Sequence, residues 1–308
     1  MGLLNHTNDG HFNVLIVITK FLAAHGPTQD STLAALVAPE KVLEKQDLQE
    51  FRATLNRWEK FGLLRKDARP ENTLYYNLID EEYPEPKDEF SWQTWLSKRI
   101  CEQIMEEKNN PKEQFWETTA DTTTDLTRGL AWLLAQDIQT FSPSNHKQAE
   151  KQEAEQFRGS DKILLNNDVR WNNLRRWSLS LGFARSLPIN SNLLPDPTGA
   201  IRKVLPDIFD ESDELSHRQF IQRLAEKIPI LDGGRYRRWL EEELSRNPEW
   251  KSIEKNFLSS TLSLALRCLE KEGELDLLRK ADAERSYLTT TTKESPRPFT
   301  HVKRASTK

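Results

Sequence analysis

Hydrophobic side chains recur at helical spacing along the N-terminal part of the chain, in three successive stripes. The first stripe comprises Phe12, Leu15, Ile16, Thr19, Leu22 and Ala23, the second Leu33, Leu36 and Val37, and the third Leu48, Phe51, Leu55 and Trp58. Residues three and four positions apart lie on one face of a helix, so each stripe predicts an amphipathic helix. The breakers Gly26, Pro27, Pro39 and Gly62 follow the stripes and predict where these helices end.

The pattern changes from helical to extended after the third stripe. Two hydrophobic runs, 63–65 and 74–79, flank a turn-rich stretch at 67–72, which predicts a β-hairpin. Three helices followed by a hairpin are the order of elements in a winged helix. The run 55–65 resembles the end of the recognition helix and the first wing strand of that fold. We therefore predict a winged-helix domain over residues 1–82.

The sequence pattern at the end of the third predicted helix recurs twice in weaker form, at 174–183 and 266–275, and we call it the repeated signature. Each copy has an apolar pair three residues apart that is followed by a glycine. A hairpin over 276–289, with its turn at 281–284, would complete the second copy. These copies predict further winged-helix modules. Ordinary helix ends are the alternative interpretation, because glycine ends helices in many folds.

Changes of composition divide the chain into segments. Residues 81–89 are acidic and contain prolines, which indicates a linker, and the last segment combines four consecutive threonines with prolines, which is typical of a mobile tail. The predicted order is a winged-helix domain (1–82), a helical connector domain (83–158), a second winged-helix-like segment (159–210), a C-terminal helical or winged-helix-like domain (211–290) and a flexible tail (291–308). The predicted fold class is mainly α with small β-hairpin wings, in a multi-domain winged-helix protein.

The composition favours several small cores over one large interior. Of the 308 residues, 36% are hydrophobic and 30% are charged, while nine Trp and 13 Phe supply large areas for burial. No apolar run reaches the roughly 18 residues of a membrane span, and the N-terminus has neither a basic region nor a signal-peptide cleavage site. Cys101 and Cys268 lack the spacing of a disulfide framework or a zinc site. We therefore expect a cytoplasmic protein that contacts no membrane.

The sequence contains no recognisable catalytic motif. It has neither a glycine-rich phosphate loop nor a nucleophile elbow, and its six histidines lack metal-ligand spacing. We expect a non-enzyme without metal or cofactor; an enzyme with a site assembled from distant residues is the alternative. Gly233 and Gly234 precede the arginine-rich run 235–239 and predict a tight entry into a helix. An anion bound at the first amides of that helix is the alternative interpretation.

Local basic faces are the candidate nucleic-acid interfaces, because a net charge of −4 excludes a generally basic surface. On the third helix and the wing, the candidates are Arg52, Asn56, Arg57, Lys60, Arg65, Lys66 and Arg69. Further basic patches are Arg170, Arg175 and Arg176, and Arg235, Arg237 and Arg238. A winged helix lays the outer face of its third helix in the major groove, so we expect Arg52, Arg57 and Lys60 to be exposed. Docking of a protein partner, or a solvated face with compensating acidic charges, are the alternatives.

Three short runs, at 2–5, 8–10 and 230–234, resemble the DpdG-like family, a component of a bacterial anti-phage cluster that places 7-deazaguanine derivatives in DNA. The resemblance implies an accessory role in modification-dependent restriction, with helicase and nuclease partners encoded elsewhere, and it implies no catalytic residues. The leading hypothesis is a non-catalytic winged-helix adaptor that binds DNA, proteins of the defence complex, or both. A winged-helix transcriptional regulator acting on an operator is the alternative.

Overall fold

The computed structural model describes residues 2–5, 12–37, 45–69, 73–141, 143–158, 162–187, 192–289 and 296–305. Their α-helices are α1 (Phe12–His25), α2 (Asp30–Val37), α3 (Lys45–Lys60), α4 (Glu89–Met105), α5 (Thr124–Ala135), α6 (His146–Gln156), α7 (Asp168–Leu181), α8 (Thr198–Ile208), α9 (His217–Lys227), α10 (Arg235–Leu244) and α11 (Ser260–Lys271). Their strands are β1 (Thr28–Gln29), β2 (Leu64–Arg69), β3 (Thr73–Leu78), β4 (Ala184–Ser186), β5 (Leu193–Pro195), β6 (Glu214–Ser216), β7 (Leu275–Leu278), β8 (Ser286–Leu288), β9 (Arg297–Phe299) and β10 (His301–Arg304). The protein is therefore mainly α-helical with small antiparallel sheets, as the sequence predicted.

Short polar side chains cap the start of several helices, because the first N–H groups of a helix have no partner within it. The capping residues are Asp88, Asn145, Asn167, Ser216 and Ser259. Gly62, Gly182 and Gly273 follow α3, α7 and α11 with φ angles of 87°, 82° and 75°. Glycine adopts this left-handed conformation at little cost. The three glycines of the repeated signature are therefore the residues that end these helices.

Two three-stranded antiparallel sheets have the same strand order. The order is β1-β3-β2 in the first sheet and β6-β10-β7 in the second, so the last strand of each lies in the middle. In the first sheet, Tyr76 of β3 pairs with Thr28 of β1 and with Lys66 of β2. In the second sheet, Val302 of β10 pairs with Leu215 of β6 and with β7. Each middle strand therefore holds its two neighbours together.

The helices around the two sheets also follow a common order. α1 precedes β1, and α2 and α3 follow it; α8 precedes β6, and α9, α10 and α11 follow it. The C-terminal unit thus contains one additional helix, α10, and the β8–β9 hairpin is inserted between β7 and β10. The copy of the signature at 266–275 therefore lies in a unit whose order of elements matches that of the first.

The C-terminal strands contradict two sequence predictions. β7 pairs with β10 rather than with β8, so the predicted hairpin over 276–289 is wrong. The predicted flexible tail at 291–308 is also wrong for residues 296–305, because β9 pairs with β8 and β10 pairs with β6 and β7. Phe299 and Val302 are fully buried. Their partners lie far away in the sequence, and the local composition of the tail does not reveal them.

The middle copy of the signature, at 174–183, lies at the end of α7 and is followed by the two-stranded β4–β5 sheet. Among the strands that the structure describes, none adds a third member to this sheet. α8 packs on α9 and α11 rather than on the hairpin. The segment predicted to be winged-helix-like, 159–210, is therefore a helix with a hairpin, and its last helix belongs with the C-terminal unit.

One continuous hydrophobic core joins the predicted segments. The ring of Trp58 on α3 lies 5.9 Å from that of Trp177 on α7, and both side chains are buried. Trp92 Nε1 donates to Thr19 Oγ1 at 3.3 Å, which ties α4 to α1. The proposed boundary after residue 82 is thus crossed by packed side chains, and division into independently folding domains stays a prediction.

The part of the chain that the structure describes also bears on membrane and metal binding. None of its helices combines the length and the apolar composition needed to cross a membrane. It contains no group of three or more His, Cys, Asp or Glu side chains that could hold a metal ion. Cys101 and Cys268 are both free thiols.

Replacing Phe299 with alanine tests whether the C-terminal strands are part of the core. We expect Phe299→Ala to lower the free energy of unfolding by about 3 to 5 kcal/mol, because it removes a fully buried aromatic ring. Lys303→Ala, at an exposed position of β10, is the control and should change it by less than about 0.5 kcal/mol. Urea denaturation followed by tryptophan fluorescence measures both. Equally small effects would contradict the burial of these strands.

Candidate nucleic-acid interface

The outer face of α3 carries the first predicted contacts. Phe51, Leu55 and Trp58 are buried in the core. The helical period places Arg52 and Asn56 on the opposite side, one turn apart. The side chain of Arg52 is 57% exposed, and Asn56 is also exposed. Both side chains are therefore accessible to a partner.

Asn56 links α3 to the strands of the first sheet. Its Oδ1 accepts hydrogen bonds from Lys66 Nζ and from the Tyr76 hydroxyl, both at 2.9 Å. The Lys66 ammonium also lies 5.7 Å from the centroid of the Tyr76 ring. Burial, followed by the negative charge of Asp30, raises the pKa of Tyr76 to about 12, so its hydroxyl remains a donor. We call the group formed by Arg52, Asn56 and Lys66 the α3–β2 face.

Two of the predicted cations have partly exposed acidic partners. Arg52 Nε lies 3.3 Å from Asp30 Oδ2, and Arg65 Nε lies 3.3 Å from Asp67 Oδ2. Ion pairs that reach the solvent contribute little free energy, because water screens them and the side chains lose freedom. A phosphate group can therefore replace either acidic partner at small cost.

The C-terminal end of α3 is covered by the chain that leads into α5. Lys60 Nζ donates to the carbonyl oxygen of Asp121 at 2.6 Å and to its Oδ2 at 2.9 Å, and this contact lowers the pKa of Asp121 to about 2. Arg57 was predicted to be exposed, which is wrong: it is half-buried. Burial lowers its pKa, while the charges of Asp121 and Asp125 act in the opposite direction. Arg57 therefore faces acidic groups of the protein rather than an outside partner.

The three predicted wing cations do not lie on one surface, because successive side chains of a strand point to opposite faces of a sheet. Lys66 contacts α3, whereas Arg65 lies on the other side together with Asp67. Arg69 is the last residue of β2, and its side chain lies outside the described residues. Of Arg65 and Lys66, the fold brings Lys66 to the α3–β2 face. Sequence reasoning missed Tyr76, although its position on the predicted second strand was a signal.

Arg170 is a buried structural residue, so the predicted basic patch is wrong at this position. It is 6% exposed, and its Nε donates to Asn5 Oδ1 at 2.7 Å. Its Nη atoms donate to the carbonyl oxygens of Leu164 and Thr118 at 3.0 and 3.2 Å. A helical pattern alone does not distinguish such an arginine from one on the surface. Its predicted neighbours on α7 are Arg175, which is half-buried, and Arg176, which is exposed.

The run 2–5, which carries part of the family resemblance, is held inside the protein. Leu3 and Leu4 are buried, and their N–H groups donate to Asp125 Oδ1 and Oδ2 at 3.0 and 2.8 Å. Asn173 Nδ2 donates to the Leu4 carbonyl oxygen at 3.1 Å. This short segment therefore connects α5 and α7, and its role in the structure is architectural.

Two further buried charges complete this network. Glu153 Oε2 accepts the N–H groups of Leu164 and Leu165 at 3.0 and 2.6 Å. Arg128 Nη1 donates to the Trp116 carbonyl oxygen at 2.8 Å. Burial disfavours both charged forms, so it raises the pKa of Glu153 to about 7 and lowers that of Arg128 to about 10. The charges serve the interior of the protein rather than a surface site.

The arginines of α10 separate into one buried and two exposed residues. Arg237 is 1% exposed, its Nε donates to Glu241 Oε1 at 2.6 Å, and its Nη1 donates to the Leu134 carbonyl oxygen at 2.9 Å. The predicted basic patch is therefore wrong at Arg237, because this side chain donates to a carbonyl oxygen at the buried C-terminal end of α5. Arg235 and Arg238 are exposed.

The start of α10 is a tight helix entry. The N–H groups of Tyr236 and Arg237 both donate to the Pro229 carbonyl oxygen, at 3.0 and 3.2 Å. A Cβ added at Gly234 would lie 2.3 Å from that oxygen, so glycine is required there. The first amides of α10 already have a carbonyl partner. This favours the tight-entry interpretation over an anion bound to those amides.

A cavity of about 770 Å³ lies between α9 and the start of α10, and sequence reasoning missed it. Its charged lining residues are Glu107, Arg218, Glu226, Arg235 and Arg238. These residues come from three separate parts of the chain, so no local motif marks the site. The signal that the sequence offered for this site is a series of polar residues on α9, namely Arg218, Gln222 and Glu226. They recur every four positions, and all three are exposed.

The helix α11, which corresponds to α3 in the C-terminal unit, offers no surface comparable to that of α3. The buried residues of α11 are Thr261, Leu262, Ser263, Ala265, Leu266 and Leu269. Arg297 Nη2 donates to Glu270 Oε1 at 2.7 Å, which joins β9 to the remaining face. The two units therefore differ in accessibility, although their strand orders agree.

These features define a mainly α-helical protein with two sheet units of matching strand order and an exposed polar face beside the N-terminal one. The chain belongs to the DpdG-like family, whose family model matches residues 1–283. The resemblance found in the sequence is therefore confirmed, and this membership indicates a component of a Dpd-associated defence system. The matched region ends before β8. No curated protein and no solved structure matches the chain.

Glu153 should make the stability of the protein depend on pH. Its pKa is about 7 in the folded protein and near 4.5 in the unfolded chain, so the folded protein binds this proton more tightly. The free energy of unfolding should therefore fall as the pH rises from about 4.5 to about 7, by up to about 1.4 kcal/mol per pH unit. We expect Glu153→Gln to flatten this fall, as measured by urea denaturation across that range.

The matched control for this experiment is Glu155→Gln, at an exposed position of the same helix. It should keep the slope of the wild type, because an exposed carboxylate has no burial cost to lose. A Glu153→Gln variant that kept the full slope would assign the pH dependence to another group.

Proposed function

We propose that this DpdG-like protein is a non-catalytic winged-helix adaptor of a Dpd-associated anti-phage system, acting in modification-dependent restriction. In this proposal the N-terminal unit contacts DNA through the α3–β2 face. Other surfaces hold partner proteins of the defence complex, which supply the catalysis. The observation that carries the proposal is the exposed polar side of α3 next to Lys66 of the adjoining strand.

The order of elements supports the winged-helix part of the proposal. In the N-terminal unit, helix α1, the short strand β1, helices α2 and α3, and the hairpin of β2 and β3 follow one another, and β1 pairs with β3. The C-terminal unit repeats this order with insertions. Because the short strand β1 pairs with the last strand β3, the hairpin of β2 and β3 lies next to the third helix, α3.

The chemistry of the α3–β2 face suits nucleic acid. Arg52 is itself exposed and can exchange its partner Asp30 for a phosphate, and Lys66 adds an ammonium close to the same helix. Asn56 uses its Oδ1 inside the protein, so its amide N–H₂ group is the part that can donate outward to a base edge. The major groove, about 12 Å wide, admits a helix in this orientation.

Exposed apolar side chains on α1 and α4 support contact with a protein. Phe90, at the start of α4, is 82% exposed, and Val17 on α1 is 51% exposed. Lys20 and Glu89 form an ion pair that joins these two helices. Large exposed apolar side chains often mark protein interfaces. An adaptor can therefore use α1 and α4 for a protein partner and the α3–β2 face for DNA.

DNA binding can be tested with the variant Arg52→Ala, Lys66→Ala, which removes both cations of the α3–β2 face. We expect weaker binding of a short labelled duplex, since up to two phosphate contacts are lost. The dependence of log Kd on log salt should flatten by about 0.9 per lost contact. Fluorescence anisotropy over a series of salt concentrations measures both quantities.

The control variant Lys147→Ala, Lys151→Ala removes the same charge from exposed positions on α6. It should bind DNA as the wild type does. Equal losses in both variants would move the contact away from the α3–β2 face. A wild type that binds no duplex at low salt would contradict the DNA part and favour the protein contacts, whereas strong preference for one duplex sequence would favour a transcriptional regulator.

The non-catalytic part of the proposal predicts that the purified chain neither hydrolyses ATP nor cuts DNA in the presence of Mg²⁺ or Mn²⁺. Phosphate release and gel assays measure these activities, with the same chain after a second purification as the control for contaminants. Turnover that persists through repurification at constant specific activity would show that the protein is an enzyme.

A further inference from the structure

The cavity between α9 and α10 has the dimensions of a small-molecule site. Its volume of about 770 Å³ lies within the range of roughly 300 to 1,000 Å³ that ligand pockets occupy. Met105 and Tyr236 are nearly fully buried and line it together with Ile221. Gln222 and Ser286 add polar groups to this apolar lining. Such a surface suits a molecule with a flat, weakly polar body.

The charged groups around the cavity favour an anion. Arg218 pairs with Glu284 at 2.5 Å and Arg235 pairs with Glu107 at 2.5 Å. The acidic partners are 43% and 74% exposed, so both ion pairs are weak and can be exchanged. An anionic ligand can therefore recruit either guanidinium without leaving a buried carboxylate unpaired.

Arg238 is available without any exchange of ion pairs. Its Nη1 donates to the Gly233 carbonyl oxygen, and within the described part of the chain no carboxylate pairs with it. Glu226, the other carboxylate of the lining, accepts a hydrogen bond from Gln222 Nε2 at 3.0 Å. Three arginines and two carboxylates leave the lining with a net positive charge.

One wall of the cavity is held in place by the β8 strand. Asn256 has a φ of 69°, and its carbonyl oxygen accepts the N–H group of Tyr287 at 2.8 Å. The next residue, Phe257, stacks on the Tyr287 ring at 5.1 Å with an angle of 21° between the planes. A half-buried aromatic ring is thus fixed beside the arginines before any ligand arrives, which reduces the entropy lost on binding.

We propose that this cavity binds a small molecule that carries a phosphate on a flat, weakly polar ring system, of the class of the nucleoside monophosphates. The phosphate contacts Arg238 and Arg218, because planar guanidinium groups match phosphate oxygens in charge and geometry. The ring packs against Phe257 and Ile221. The amides at the start of α10 take no part, since Pro229 already accepts them. The site is separate from the α3–β2 face and does not rest on the function proposed for that face.

Isothermal titration of the full chain with AMP, GMP, CMP and UMP at low salt tests this proposal. At least one of these nucleotides should bind saturably, and its nucleoside should bind at least about tenfold more weakly because it lacks the phosphate. The double variant Arg218→Gln, Arg238→Gln should weaken binding by about tenfold or more. Glu107→Gln releases Arg235 from its ion pair and should strengthen binding.

The matched control is Lys227→Gln with Arg246→Gln, which removes the same charge from exposed positions outside the lining. It should leave the affinity unchanged. Equal losses in the two double variants would indicate general attraction of anions and would overturn the proposal, as would the absence of binding by all four nucleotides at millimolar concentration. Melting curves check that each variant folds, and Arg238→Gln alone replaces the double variant if that one does not.

Discussion

The burial of four charged side chains, Asp125, Arg128, Glu153 and Arg170, is the constraint on which the centre of the protein depends. A buried charge is costly unless hydrogen bonds satisfy it. Here the partners are largely backbone groups of segments without regular secondary structure. Those segments include residues 2–5, which are held between α5 and α7. The network thus fixes irregular chain in place and supports the helices against which the N-terminal unit packs.

The two sheet units use one order of elements for different purposes. In the N-terminal unit the third helix keeps an exposed polar side, and the adjoining strand adds Lys66 to it. In the C-terminal unit the corresponding helix, α11, is packed on both the core and β9, and the accessible polar groups lie instead on α9, where they face a cavity. The middle strand of that unit, β10, arrives from the end of the chain, so this unit is complete only when the last strands have paired. Because β9 covers the remaining face of α11, the accessible polar groups of this unit lie on a different helix.

The arginines of the candidate patches fall into two groups, exposed cations at the surface and buried cations in the interior. Arg52 and Arg238 are exposed, and each holds at most a weakly bound partner that a phosphate can replace. Arg170 and Arg237 instead satisfy buried carbonyl oxygens and are tied to the interior. Charge and residue type do not distinguish these two groups, because all four residues are arginines on predicted helices. What decides the role of each is the set of acceptors within reach, which is a property of the assembled protein.

The sequence by itself determined the features that depend on neighbours in the chain. The helical stripes, the hairpin after α3, the glycines that end helices and the run at 2–5 were all visible there, because helix and turn preferences act over a few residues. Tertiary structure alone decided that β7 pairs with β10, that Arg57 turns away from the outer face and that five distant segments line one cavity. These outcomes depend on which surfaces meet once the core forms. A periodic pattern shows that a side chain lies on one face of an element, but the packed structure determines what that face contacts.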